Sequence, residues 1–158
     1  MAENTGINDT QLVVFRLGQE EFGVDISQVR EIIRVSEITS IPNAPSYIDG
    51  VINLRGQITT VVNLRKKMGL EDKPVDGNSR IIVVEIDKNI VGMMVDSVTE
   101  VKYIAGSQIE MLPGMISGSV SGEYIQGVCK LPNRLLILVD LKKVISEVGL
   151  GNLIPAEA

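Results

Sequence analysis

The chain has 158 residues, a net charge of −5, one cysteine and no histidine. That length suits one compact domain that buries about 70% of its unfolded surface without disulfides or metals. The acidic balance disfavours nucleic acid, whose phosphates need a basic surface. The missing histidines and single cysteine exclude the Ser-His-Asp arrangement and ordinary zinc sites.

In chain order, residues 1–10 read as a flexible tail with no secretory signal. Residues 11–17 and 22–26 have β composition and flank a turn at 18–21, which predicts a hairpin. Asp25 and Gln28 have capping-box spacing, and Ile26, Val29 and Ile33 follow at helical spacing, so a helical turn is expected over 26–33. Residues 51–54 and 57–62 are short β runs around Arg55-Gly56, a two-residue hairpin signal in which glycine accepts positive φ. Residues 64–68 read as a helical turn closed by Gly69.

Residues 80–86 and 90–95 form a second predicted hairpin, with the turn at 87–89. Residues 114–123 are rich in Gly and Ser and read as a mobile loop. Pro132-Asn133 marks a third hairpin turn, and Asp140 can cap a helix whose Leu141, Val144, Ile145 and Val148 share one face, with Gly149 as its C-cap. Residues 151–158 read as a second tail, and no apolar run is long enough to cross a membrane.

The chain repeats itself. Residues 47–66 align without gaps on 124–143 with eight of twenty identities, among them Tyr47/Tyr124, Gly50/Gly127 and Leu64/Leu141. Residues 13–32 align on 82–101, matching Gly23/Gly92, Val29/Val98 and Glu31/Glu100. Ser36, Ile38 and Pro42 match Ser107, Ile109 and Pro113 between these blocks. The expectation is a pseudo-twofold pair, with copies over about 11–67 and 80–145 sharing one core within a domain of 11–150. Short strands with tight turns favour closed barrels, so the predicted fold is mostly β: two small barrels packed together, with minor helices.

Little chemistry is legible. Neither phosphate-binding glycine motif occurs. A carboxylate pair needs no local motif, so that chemistry stays open, but no enzymatic activity and no cofactor are expected. Cys129 alternates with Val128 in a predicted strand and reads as a buried small apolar residue. Met93 and Met94 read as core, while Met111 and Met115 flank the predicted loop. The clusters Arg65-Lys66-Lys67 and Lys142-Lys143 read as solvated helix faces. Arg55 at a hairpin tip is either solvated or a fork-shaped donor for a partner's carboxylate or carbonyls.

Gly50-Val-Ile-Asn-Leu-Arg-Gly-Gln-Ile-Thr-Thr-Val-Val-Asn-Leu-Arg65 resembles the central signature of the CheW family. Phe22-Gly-Val-Asp-Ile-Ser-Gln-Val-Arg-Glu-Ile32 and Val91-Gly-Met-Met-Val-Asp-Ser-Val98 are similar to two further segments of that family, in the same order. The likeness spans about 11–148; Thr60 stands where the family often has proline. The resemblance implies two five-stranded SH3-like barrels and an adaptor that couples chemoreceptors to the histidine kinase CheA. Its implied partners are the CheA regulatory domain and the cytoplasmic hairpin tip of a methyl-accepting chemoreceptor. The implied place is cytoplasmic, at receptor arrays on the inner face of the membrane, without membrane insertion. Carried over residue by residue, Val29, Glu31, Arg55, Ile58, Val98 and Val101 are the implied receptor-facing groove, and Gly50 and Asn53 lie near the kinase contact. Alternative readings are an adaptor for a non-motility kinase pathway and a small-molecule-binding β-barrel protein.

Overall fold

A computed structural model describes residues 9–111 and 124–146 of the chain. The strands are β1 (Thr10–Leu17), β2 (Glu20–Asp25), β3 (Val29–Arg34), β4 (Ile48–Leu54), β5 (Gln57–Asn63), β6 (Arg80–Ile86), β7 (Asn89–Val95), β8 (Ser97–Ile104), β9 (Ile109–Met111), β10 (Ile125–Leu131) and β11 (Arg134–Val139). Two short helices follow the last strand of each copy, α1 (Leu64–Lys67) and α2 (Leu141–Ser146). Asn63 caps α1 by accepting from the Lys66 N–H, and Asp140 caps α2 by accepting from the Lys143 N–H. The loop predicted at 114–123, Met115, Val148, Gly149 and the 151–158 tail lie outside the described residues; the tail predicted over 1–10 is described only at Asp9 and Thr10, and Thr10 already belongs to β1.

The two sheets are not the two sequence copies. One runs β8-β1-β2-β11-β10-β9 and the other β3-β6-β7-β5-β4. Each takes its first hairpin from one copy and its third strand and last hairpin from the other. The short links enforce this exchange: only the 3-10 turn Ile26–Gln28 separates β2 from β3, and only Asp96 separates β7 from β8.

Each sheet closes on itself. β8 and β9 form opposite edges of their sheet but are joined through the short 3-10 turn Gly106–Gln108, so one bent path supplies both edges. In the other sheet the chain after β3 does the same more briefly, as Thr39 pairs with Val51 of β4. That contact is the repeat equivalent of Glu110 opposite Val128. The repeated glycines make room for it: a Cβ on Gly50 would lie 2.1 Å from the Thr39 carbonyl oxygen, and one on Gly127 2.5 Å from that of Glu110.

Both faces of the central strands are apolar because both are buried. Val13, Phe15 and Leu17 of β1 join Ile82, Val84 and Ile86 of β6 in one cluster shared between the sheets. The alternating residues Leu12 and Val14 point into the first barrel with Cys129, Leu136 and Leu138. Ile81 and Val83 point into the second barrel with Ile52, Val61 and Met94. Burying side chains of this size stabilises by about 1.5–3 kcal/mol each. Cys129, Met93 and Met94 are core residues, as the sequence predicts, while Met111 is exposed.

Two expectations are corrected. Asp25 does accept from the Ser27 N–H at 2.9 Å, but the helical geometry ends at Gln28 and residues 29–34 form β3. Pairing with β6 overrides the local spacing, and Val29, Ile32 and Ile33 are β-branched. The cluster Arg65-Lys66-Lys67 is not a solvated face. Lys67 is buried, with its ammonium 4.1 Å from the centroid of the Tyr47 ring and 5.2 Å from that of Tyr124. Arg65 grips Asp96, as described below. Lys142 and Lys143 are exposed.

Candidate docking site

The β4–β5 turn presents Arg55. Both turn residues are left-handed, with φ of +52° at Arg55 and +88° at Gly56. Asn53 fixes this turn by accepting from the Gly56 N–H at 2.8 Å. The Arg55 guanidinium donates through both terminal nitrogens to Glu31 on β3, each at 2.5 Å. These hydrogen bonds hold the Glu31 carboxyl below its ordinary range and raise the guanidinium, and the pair ties the β3 edge to the hairpin tip. The arginine side chain remains 71% exposed, so its outer face is free for a further acceptor.

The ladder registers place the apolar candidates. Residues directly opposite one another project to the same face. Val29 and Ile32 of β3 lie opposite Val84 and Ile82, both in the shared core. Val98 and Val101 of β8 lie opposite Phe15 and Val13, also in the shared core. Two pseudo-equivalent edge strands thus turn their valine and isoleucine side chains to the same inter-sheet space. Val29 and Val98 pack on the core, whereas Ile32 and Val101 are exposed at its rim. Ile58 is exposed near the start of β5, opposite Asn53 and in phase with the buried Val62. The geometry therefore joins Glu31 to Arg55, Asn53 to Ile58, and Val29 to Val98 through the core. It does not join Gly50 to any of these: Gly50 is buried under the Thr39 segment.

Sequence reasoning passed over Ile32. Its repeat partner is Val101, just as that of Ile58 is Leu135, and all four are exposed. Apolar residues exposed in both copies would have been a usable signal. The second copy also repeats the ion pair, with a shift: Glu100 pairs with Arg134, which aligns on Gln57 rather than on Arg55. The Arg134 hydrogen bond likewise lowers Glu100.

A second charged node braces the sheets. Asp96 accepts from Arg65 Nε at 2.8 Å, from Nη2 at 2.7 Å and from the Gly18 N–H at 2.7 Å. Burial pushes the Asp96 carboxyl up, but Arg65 and the Gly18 amide outweigh it, and the net shift is downward. Burial pushes the Cys129 thiol up, which opposes thiolate formation. Among the described residues no cluster has the composition to hold a metal ion.

Two interleaved barrels with an apolar rim between them and an arginine fixed at one tip define a docking module. The family profile of the CheW-like domain matches residues 11–149, and the chain belongs to that family. It is 38% identical over 137 residues to a chemotaxis protein CheW of Klebsiella aerogenes, covering 87% of this chain and 82% of that one. It is 31% identical over 153 residues to the chemotaxis protein CheW of Treponema pallidum, covering 93% and 89%. Among solved structures, the scaffolding protein TtCheW of Thermoanaerobacter tengcongensis superposes with a TM-score of 0.78 at 36% identity, over 83% of this chain and 88% of that one.

Proposed function

We propose that this protein is a non-enzymatic adaptor that couples chemoreceptors to the histidine kinase CheA in chemotaxis signalling. The observation that carries this reading is the apolar rim that two pseudo-equivalent edge strands turn to one inter-sheet space, with Arg55 held ready at the neighbouring tip. A rim of Val29, Ile32, Val98 and Val101 suits the apolar stripe of an amphipathic helix, such as one arm of a receptor's cytoplasmic hairpin. Arg55 and Glu31 add a charged end that fixes the direction of that helix, and Ile58 extends the apolar contact. The CheA regulatory domain docks near the β4–β5 hairpin, where Asn53 is exposed and Gly50 sets the backbone path. The adaptor works in the cytoplasm at receptor arrays. No helix among the described residues is long and apolar enough to cross a membrane.

The test is binding of the purified chain to a receptor hairpin and to a CheA regulatory domain, measured by calorimetry. Val101 is 47% exposed, so a lysine there should leave the core packing intact. Val101→Lys and Arg55→Ala each weaken hairpin binding by about tenfold or more, while circular dichroism and melting stay at wild type. Undiminished hairpin binding by both variants rejects the site, and failure of the wild type to bind either partner rejects the function.

A further inference from the structure

Arg16 stands near the end of β1, with Glu21 of β2 and Ser97 of β8 as cross-strand neighbours. Its guanidinium has no hydrogen-bond or ion-pair partner among the described residues, and its Nη1 is buried. Glu21 does not serve it, being turned to Arg134 at 3.4 Å. Arg16 instead borders a cavity of about 200 Å³ that Arg65, Lys73, Asp76, Asp96 and Ser97 also line.

Both carboxylates that reach this cavity are engaged. Asp96 accepts the three hydrogen bonds from Arg65 and Gly18 given above. Asp76 accepts from Lys73 Nζ at 2.9 Å and from the Asn78 N–H at 2.8 Å. Three cations face two carboxylates, and the uncompensated charge is that of Arg16. The second copy has no such orphan: the repeat partner of Arg16 is Glu85, which Arg30 pairs at 2.7 Å. The duplication therefore does not require an unpaired arginine at this position. A half-enclosed cation without a partner is costly, and a planar guanidinium best accepts a planar two-oxygen anion.

We propose that Arg16 anchors a carboxylate-binding site in this cavity, with the Ser97 hydroxyl and the Lys73 ammonium at its wall. A phosphate dianion is disfavoured because Asp76 and Asp96 would face its second charge. The site adjoins Val98 along β8 but does not depend on the coupling function proposed above. The carboxylate belongs either to a short free acid or to an acidic side chain of a docked protein.

The experiment is a titration of the full chain with sodium acetate at constant ionic strength, chloride being exchanged, followed by amide resonances of Gly18, Asn78 and Ser97. Wild type gives saturable shifts at these amides. Arg16→Gln weakens acetate binding by about tenfold or more with an unchanged fold by circular dichroism, and Arg16→Lys, lacking the fork, falls between. If Arg16→Gln does not fold, Lys73→Gln takes its place and weakens acetate severalfold. Shifts that never saturate, equal affinity in the folded variants, or phosphate binding tighter than acetate each overturn the proposal. Binding of the CheA regulatory domain in acetate and in chloride then separates the sources: a partner's side chain is displaced by acetate, a free acid's site leaves that binding unchanged, and both results support the site.

Discussion

The two copies build the same hairpin tip in different ways. In the first, Arg55 and Gly56 are both left-handed, Asn53 braces the turn, and the arginine at the tip reaches Glu31. In the second, Pro132 and Asn133 fill the turn with neither residue left-handed, and the arginine comes from Arg134 at the start of β11. Both copies keep a third-strand glutamate paired with a hairpin arginine, so the pair itself does not set the first copy apart. What separates them is exposure: the side chain of Arg55 is 71% exposed and that of Arg134 35%. Left-handed geometry is not itself the mark of function, since Asp87 and Lys88 adopt it in a plain turn. What sets Arg55 apart is an arginine at a position where glycine would fold more easily, held by two contacts and still exposed on its outer face.

The largest expected difference between the copies lies at the closure glycines. A methyl group on Gly50 meets the Thr39 carbonyl oxygen at 2.1 Å and must also adopt φ of +144°. One on Gly127 meets the Glu110 oxygen at 2.5 Å without a left-handed φ. Gly50→Ala should cost about 3 kcal/mol or more and Gly127→Ala about 1–3 kcal/mol, read from urea midpoints. A Gly50→Ala midpoint within error of wild type would show that the Thr39 segment yields freely, and the closure argument would fail.

The duplication was legible because turns and close approaches demand particular residues: Gly50 and Gly127, Tyr47 and Tyr124 fall in one register. The Arg55-Gly56 hairpin was legible for the same reason. The exchange of strands between sheets was not. Strands apolar on both faces, such as β1 with Leu12 and Val14 on one side and Val13 and Phe15 on the other, carry no signal for which sheet they join. Lys67 was misread because its neighbours in sequence are basic, whereas its neighbours in space are two tyrosines supplied by different copies. Of the proposed groove, the Glu31–Arg55 pair is a long-range contact that the family likeness brought together and local spacing did not.

A second contrast follows α1 and α2. Arg65 pairs with Asp96 at the β7–β8 junction, and its repeat partner Lys142 pairs with Asp87 in the β6–β7 turn, but Arg65 and Asp96 have side chains only 15% and 16% exposed, against 72% and 69% for Lys142 and Asp87 at 3.6 Å. Arg65→Gln or Asp96→Asn should cost about 2–3 kcal/mol, since each strands a partly buried charge. Lys142→Gln should cost less than about 0.5 kcal/mol. The Asp96 carboxyl is lowered below its ordinary 3.8, so its stabilisation is full above that value and is lost as pH falls through the lowered one. Asp96→Asn therefore flattens the acid limb of stability against pH. An acid limb identical to wild type would place the Arg65 contact outside the folding energetics.

The smallest effect is also the most selective. Arg55→Gly removes a side chain from left-handed backbone and deletes only an exposed ion pair, so the urea midpoint should rise slightly while binding of a receptor hairpin is lost. Pro132→Gly at the equivalent tip acts in the opposite sense. It frees the unfolded chain and lowers stability by about 0.4–1 kcal/mol, with no change in binding. Opposite signs at equivalent positions would separate a tip kept for a partner from one kept for the fold. If Arg55→Gly instead lowered the midpoint as much as Pro132→Gly, the Glu31 pair would be part of what holds the second barrel closed, and the exposed arginine would have a structural explanation.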